Sequence, residues 1–275
     1  MKQVAPHVYV EHGYHGVTVG CIVTPSGVVC IDSPTRPADA AAWRAEIARL
    51  TDQPVRFVVL TDAHPDRISG LHYLGGAVVA HEATWEKIKS YGDPPRPSAA
   101  DSASSHADVP QAHAVLPQIT FTSRLVLYQG MTIVIQRTGG ATPGSVWVHL
   151  PEHRVLFMGD LMACRTHPET SEGDMAAWLD LLTHVQSKSF PAQVIVPGRG
   201  GPCNKTALEP MISYLQAMRT RVQSLVRSRK PRTDTALLVP EFLARYHVPG
   251  AEREAARQRI KAGLDHLYDV LKSKK

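Results

Sequence analysis

The 275-residue chain is 43% apolar, enough for a substantial core in one large domain or two small ones. Its four cysteines, Cys21, Cys30, Cys164 and Cys203, form no C-x-x-C pair, which points to a reduced, intracellular chain. The net charge of +5 comes with no apolar run long enough to span a membrane and no apolar signal core in "MKQVAPHVYVEHG", so a cytoplasmic protein is expected.

In chain order, "HVYVEHG", "VTVGCIVT" and "GVVCIDS" are short β-branched runs separated by glycines and a "PSG" turn, the pattern of a strand meander. "ADAAAWRAEIARL" follows Pro37 with apolar residues at helical spacing and predicts a helix. "VRFVVLT" reads as a buried strand, and "GGAVVAHEATWEKIKSYG" as a strand followed by a helix. Residues 93–117, rich in Pro, Ser and Ala, predict an irregular loop or lid. Beyond it the pattern restarts: "RLVLYQGMTIVIQRTG" predicts a hairpin, and "SVWVHLPEHRVLFMGD" predicts two strands around a Pro-Glu-His-Arg turn. "MAAWLDLLTHVQ" then predicts an amphipathic helix and "AQVIVPGRGGP" a strand entering a loop. Strands followed by helices, twice over, suggest two β-rich halves packed face to face with helices outside.

The remainder reads as helical: "KTALEPMISYLQAMRTRVQSLVRS", a region around "LVPEFLARYHV", and "AEREAARQRIKAGLDHLYDVLKSKK". In the last, Ala256, Ile260, Leu264, Leu267 and Leu271 form an apolar stripe suited to core packing. From Gly201 onward there are 15 Lys and Arg against 7 Asp and Glu, leaving +8 there and −3 in the rest. Without interleaved aromatics, this charge reads as a solvated helical face, and nucleic-acid binding ranks low.

Four loops concentrate polar residues directly after apolar runs: "TDAHPDRISG", "TGGATPGS", "MGDLMA" and "VPGRGGP". Polar strand ends on one rim of a sandwich are where active sites tend to be built. In this order, with "VYVEHG" and "IDSP" before them, the segments resemble the metallo-β-lactamase superfamily of hydrolases. The resemblance implies an α/β (α+β) fold, a four-layer αβ/βα sandwich over residues 1–204, with a helical C-terminal extension over 205–275 packed on it. It also implies seven ligands for two metal ions, from motifs reading H-x-H-x-D-H, G-H-T-P-G, G-D and P-G-H-G. Carried over residue by residue, those positions hold Asp62, His64, Asp66, Arg67, Ala141, Asp160 and Arg199. Three keep the family's residue, two are arginine, one is alanine, and Asp62 replaces a histidine but still offers an oxygen.

Arginine stays protonated and has no lone pair to donate, so it replaces no histidine ligand. A first metal position retains Asp62, His64 and Asp160; a second retains only Asp66 and Asp160, beside two guanidiniums. A two-zinc site is therefore not expected. The arginines are expected instead to neutralise Asp66 and Asp160 through charge-assisted hydrogen bonds. The favoured reading is a non-classical or metal-free descendant whose pocket, lined by Arg67, Ala141 and Arg199, binds a small anionic ligand. The alternative is a hydrolase of ester, thioester, lactone or phosphoester bonds with one divalent metal (Zn, Mn or Fe) drawn from Asp62, His64, Asp66 and Asp160. Asp66 is the candidate catalytic carboxylate of that alternative. Nucleic-acid processing ranks third.

Other residues receive plainer readings. His12, His15, His72, His81, His106 and His113 show no ligand spacing. His167 follows the "MGD" loop closely enough to be a candidate pocket residue. Cys164 lies in the same segment, but no second cysteine nearby in sequence supports a soft-metal site. Asp32, at the "CIDS" strand end, resembles a family position that orients the ligand loops from behind.

Overall fold

The computed structural model describes residues 1–91 and 115–273. An antiparallel meander opens the chain: β1 (Lys2–Ala5), β2 (Val8–Glu11), β3 (Val19–Thr24) and β4 (Gly27–Ile31). Helix α1 (Pro37–Leu50) follows, with Pro37 in its first turn, where the missing N–H costs nothing. It buries Ala40, Trp43 and Ile47 at helical spacing. Strand β5 (Val55–Val59) joins β4 in parallel and leads through two one-turn helices, α2 (Pro65–Ile68) and α3 (Leu71–Leu74). Strand β6 (Ala77–His81), helix α4 (Glu82–Ser90) and strand β7 (Ile119–Phe121) complete a seven-stranded sheet ordered β1-β2-β3-β4-β5-β6-β7.

A second sheet begins with the hairpin β8 (Arg124–Tyr128) and β9 (Thr132–Arg137), continued by β10 (Val146–Leu150) and β11 (Val155–Ala163). Helix α5 (Met175–Gln186) crosses over to β12 (Val194–Arg199), which pairs in parallel with β11, giving the order β12-β11-β10-β9-β8. Helices α6 (Leu208–Arg227), α7 (Val239–Leu243) and α8 (Arg253–Ser273) end the described chain.

The layering follows from strand periodicity. Successive strand residues point to opposite faces, so a buried strand must be apolar on both. In β4, Val28 and Cys30 pack outward against Trp43 and Ile47 of α1, whereas Val29 and Ile31 pack inward. In β11, Leu156 and Met158 face Trp178 and Leu182 of α5, whereas Val155 and Phe157 face inward. The inward sets share one cluster with Val59, Val79, Ile133, Val148 and Val196, filling the space between the sheets. The result is the expected four-layer αβ/βα sandwich. Helices α6 to α8 contribute Leu215, Met218, Phe242, Ile260 and Leu264 to the same outer core as α5. The expected stripe on α8 is buried at Ala256, Ile260, Leu264 and Leu267, and Leu271 packs against its edge.

The sequence reading did not anticipate β1, β7 or the two one-turn helices. The irregular segment expected over residues 93–117 lies, but for its last three residues, outside the described residues. Among the described residues no helix is long and apolar enough to cross a membrane.

Candidate functional site

Each element that carries a polar rim residue ends at the same edge of the sandwich. Asp32 follows β4 and adopts a left-handed backbone (φ 57°), which aspartate tolerates better than most residues. Its carboxylate accepts hydrogen bonds from the Thr61 backbone N–H (2.8 Å) and hydroxyl (2.7 Å), tying the ends of β4 and β5 together. Asp62 and His64 come next. The Asp62 carboxylate accepts from the His64 backbone N–H at 2.9 Å, a local turn that sets up α2. Pro65 then starts the helix, so Asp66 and Arg67 leave one turn in different directions. Asp160 lies near the end of β11 behind Gly159. That glycine has φ 53°, and a Cβ there would sit 2.4 Å from Thr61 Oγ1, so no other residue lets β11 pass this close to β5.

Arg67 organises the centre. Its side chain has no solvent exposure. Nη1 donates to Asp32 at 2.9 Å, Nη2 donates to Asp160, and Nε lies 3.1 Å from Asp62 Oδ1. Three buried carboxylates thus share one guanidinium fork, the geometry that arginine suits. Arg199, the last residue of β12, holds the outer part: Nη2 lies 2.6 Å from Asp66 Oδ2 and 3.1 Å from Asp160 Oδ2. Its Nη1 donates to the Gly16 carbonyl at 2.7 Å. His64 completes the ring, with Nδ1 2.8 Å from Asp160 and 3.1 Å from Asp62. These contacts are close but off the line of a good hydrogen bond, and Asp62 Oδ2 and Asp66 Oδ1 find no hydrogen-bond donor among the described residues.

The charges support one another. Burial disfavours ionisation of Asp160, but Arg199 and Arg67 outweigh it and hold the carboxyl well below the usual range. Asp62 is likewise held down, by Arg67 and then His64, against its burial. Burial also opposes a charge on His64, yet Asp62 and Asp160 together push its imidazolium up to about 11. Asp32 is the exception: burial dominates over its contact with Arg67, and its carboxyl rises to about 6. At neutral pH the four aspartates exceed the two guanidiniums and the imidazolium by one negative charge.

Asp62, His64 and Asp160 each offer a donor atom within 4.8 Å of the other two, a span able to hold a metal ion. Every one of those residues is also ion-paired within the cluster. A dication there would have to share Asp62 and Asp160 with the buried Arg67 guanidinium, whose like charge opposes it.

The sequence model described as "Metallo-beta-lactamase superfamily" matches residues 12–199 of this chain. The chain belongs to the metallo-beta-lactamase superfamily. Solved members share its architecture. A metallo-beta-lactamase from Pontibacter korlensis superposes with a TM-score of 0.62 at 23% identity, covering 78% of this chain and 97% of that one. The DIM-1 metallo-beta-lactamase does so with a TM-score of 0.61 at 19% identity, covering 78% and 96%. Among curated proteins, a linear primary-alkylsulfatase from Pseudomonas sp. (strain ATCC 19151) is 23% identical over 217 residues. That match takes in 66% of this chain but only 41% of the relative's length.

Of the superfamily positions identified in the sequence, Asp62, His64, Asp66, Arg67, Asp160 and Arg199 meet in one cluster. Asp32 joins it through Arg67. Ala141 is buried in the apolar core beside Trp178 and Leu161. His167 sits elsewhere: its ring packs on Tyr214 and Tyr246, and Nδ1 lies 3.4 Å from the Tyr214 hydroxyl, against the C-terminal helices. Beside His64, a cavity is lined by Thr84, Lys87, Tyr91, Thr142 and Glu172 among others. Lys87 and Glu172 form an ion pair across it at 2.9 Å. Sequence reading missed Thr61, which stands in the "TDAHPDRISG" loop just before its first ligand position, and Lys87 and Glu172, which lie outside the four strand-end loops.

Proposed function

We propose that this chain is a metal-free member of its superfamily, in which Arg67, Arg199 and the His64 imidazolium stand in for the two metal ions. In this reading it binds a small anionic ligand rather than hydrolysing one. The carrying observation is the fully buried Arg67 guanidinium shared among Asp32, Asp62 and Asp160. A metal pair does not fit that arrangement. The second position retains two carboxylates bridged by Arg199, and the first would have to work against a fixed guanidinium and strip a proton from His64.

Both guanidiniums are occupied by carboxylates, which moves the expected anion site away from them and into the cavity beside His64. With Nδ1 turned toward Asp62 and Asp160, the imidazolium has Nε2–H left to donate, and His64 lines the cavity together with the Lys87–Glu172 pair. The cavity-facing charges therefore sum to one positive. A monoanion suits that balance, and the alkylsulfatase relative makes a short-chain sulfate monoester the first to try.

A single-metal hydrolase is the second reading, favoured by the 4.8 Å span of Asp62, His64 and Asp160. Elemental analysis of the purified chain separates the two. Less than a tenth of an equivalent of zinc, manganese and iron, together with butyl sulfate raising the melting temperature in the native chain but not in His64→Ala, is the expected result. One tightly held metal per chain would overturn the metal-free reading.

A further inference from the structure

We propose that Cys164 and Cys203 form an oxidisable dithiol that closes to a disulfide and locks the segment carrying Arg199. The two residues are 39 positions apart, but the parallel pairing of β11 and β12 brings them together. Ala163 is in register with Arg199, and the Cys164 N–H donates to the Arg199 carbonyl at 2.9 Å. The chain then reverses through Gly200 and Gly201, and Cys203 exchanges two backbone hydrogen bonds with Ile195 (2.8 and 2.9 Å). Gly200 has φ 95°, and a Cβ there would come within 3.2 Å of Cys164 Cβ, so this reversal hugs Cys164 closely. The Thr18 hydroxyl pins it from the other side by donating to the Gly200 carbonyl at 2.7 Å. The side chains end with the Cys203 thiol donating to the Cys164 sulfur.

Access and reactivity favour this pair over the other. Both sulfurs lie at partly exposed positions, whereas Cys21 and Cys30 face each other across the β3–β4 ladder in the closed core. The contact between the two thiols holds Cys164 below the ordinary thiol range, while burial pushes Cys21 up to about 12. Only a thiolate attacks an oxidant efficiently, so this pair reacts before the core pair, and Cys164 is taken as the attacking thiol. With a hydroperoxide as oxidant, the Cys164 thiolate attacks the peroxide oxygen and breaks the O–O bond. This gives a sulfenic acid and, after protonation of the leaving oxygen, water or an alcohol. The Cys203 sulfur then attacks the sulfenic sulfur, forming the S–S bond and releasing water. The two thiols lose two electrons, which reduce the peroxide.

The test treats the full native chain with one to three equivalents of hydrogen peroxide, alkylates it, digests it without reduction and maps the peptides by mass spectrometry. A Cys164–Cys203 bridge is expected, with Cys21 and Cys30 alkylated only after unfolding. In Cys203→Ser, dimedone should trap a sulfenic acid at Cys164. Amide exchange at Arg199 to Cys203 should slow at least several-fold in the bridged protein. Absence of the bridge in the native chain at three equivalents, or earlier bridging of Cys21 to Cys30, would overturn the proposal. Unchanged exchange at Arg199 in the bridged form would remove its link to the ion-pair cluster.

Discussion

Replacing Arg67 by methionine keeps the unbranched apolar stem of the side chain and removes the charged guanidinium. In the native chain the guanidinium is fully buried and reaches Asp32, Asp62 and Asp160. Without it, among the described residues Asp160 retains Arg199 and His64, but Asp32 retains only Thr61, and Asp62 retains only His64. Breaking a buried ion pair by removing one partner costs about 3–5 kcal/mol, because the other charge stays behind uncompensated. For a chain of this size that corresponds to a melting temperature lower by roughly 6 to 20 °C at pH 7. The pH dependence carries a sign. Asp62 and Asp160 have depressed folded values, so their contribution is present above the ordinary carboxylate range and is lost as pH falls through the folded values. Without Arg67, burial pushes these carboxyls up, and acid then relieves the variant. The gap between native and variant proteins should be widest near pH 7 and narrow toward pH 4. Thermal unfolding followed by circular dichroism at both pH values measures it. A variant melting within about 2 °C of the native chain at pH 7 would refute the assignment of Arg67 as the compensating charge.

Arg199→His alone should bind no zinc, because Arg67 still occupies the first position. Joined by Asp62→His, Arg67→His and Ala141→His, it should yield up to two zinc ions per chain by elemental analysis after dialysis. Nitrogen-15 NMR should show the His64 ring carrying both protons through pH 9, since Asp62 and Asp160 push it up to about 11; a midpoint near the ordinary histidine value would contradict the cluster geometry. Asp32, raised to about 6 from 3.8, favours the fold below the lower value and loses that contribution as pH rises through the upper one. The loss is on the order of 3 kcal/mol. Asp32→Asn should flatten the urea midpoint between pH 4 and 6, and an unchanged slope there would exclude Asp32 as its source.

Much of the fold was legible because burial on both faces forces recognisable runs. The strands β3, β4, β5 and β11 are nearly continuous apolar segments, and α1, α5, α6 and α8 carry apolar residues at helical spacing. The elements that escaped are short. "KQVA" and "ITF" are edge strands of four and three residues, partly exposed, with no alternation to detect. The four-residue helices α2 and α3 are shorter than any periodicity. At the site, the strand-end loops identified which residues would meet, and the expected pairing of the two arginines with Asp66 and Asp160 holds for Arg199 with both carboxylates and for Arg67 with Asp160. The contacts of Arg67 with Asp32 and Asp62 were not foreseen. Neighbours on a helix point about 100° apart, so Arg67 Nε stays 3.9 Å from Asp66 and turns inward to Asp32 and Asp62 instead. Arg199 takes Asp66, arriving from another strand. The Cys164–Cys203 contact escaped for a similar reason, since only the parallel β11–β12 pairing brings those residues together.

The difference between an eroded site and a rebuilt one lies in the carboxylates. Burying Asp62 and Asp160 would be prohibitive without counter-charge, and random loss of metal-binding nitrogens would leave them exposed to that penalty. Here both arginines reach the carboxylates beside them, and His64 keeps an ion pair to each of Asp62 and Asp160. That is enough to explain stability, and it requires no ligand. Two features go beyond stability. His64, alone among these cluster residues, also lines the adjoining cavity, whose lining includes the Lys87–Glu172 pair. A purely structural replacement needs the imidazolium to face inward only. On the proposed ligand-binding reading, an imidazolium that faces inward with Nδ1 and also lines the cavity would couple occupancy of that cavity to the charge state of the carboxylate cluster. His64→Gln, which keeps a donor but no charge, should weaken an anion's binding without abolishing it, whereas His64→Ala should abolish it. Isothermal titration of both variants with the same sulfate ester measures the coupling, and equal affinity in the two would show that the cavity and the cluster act independently.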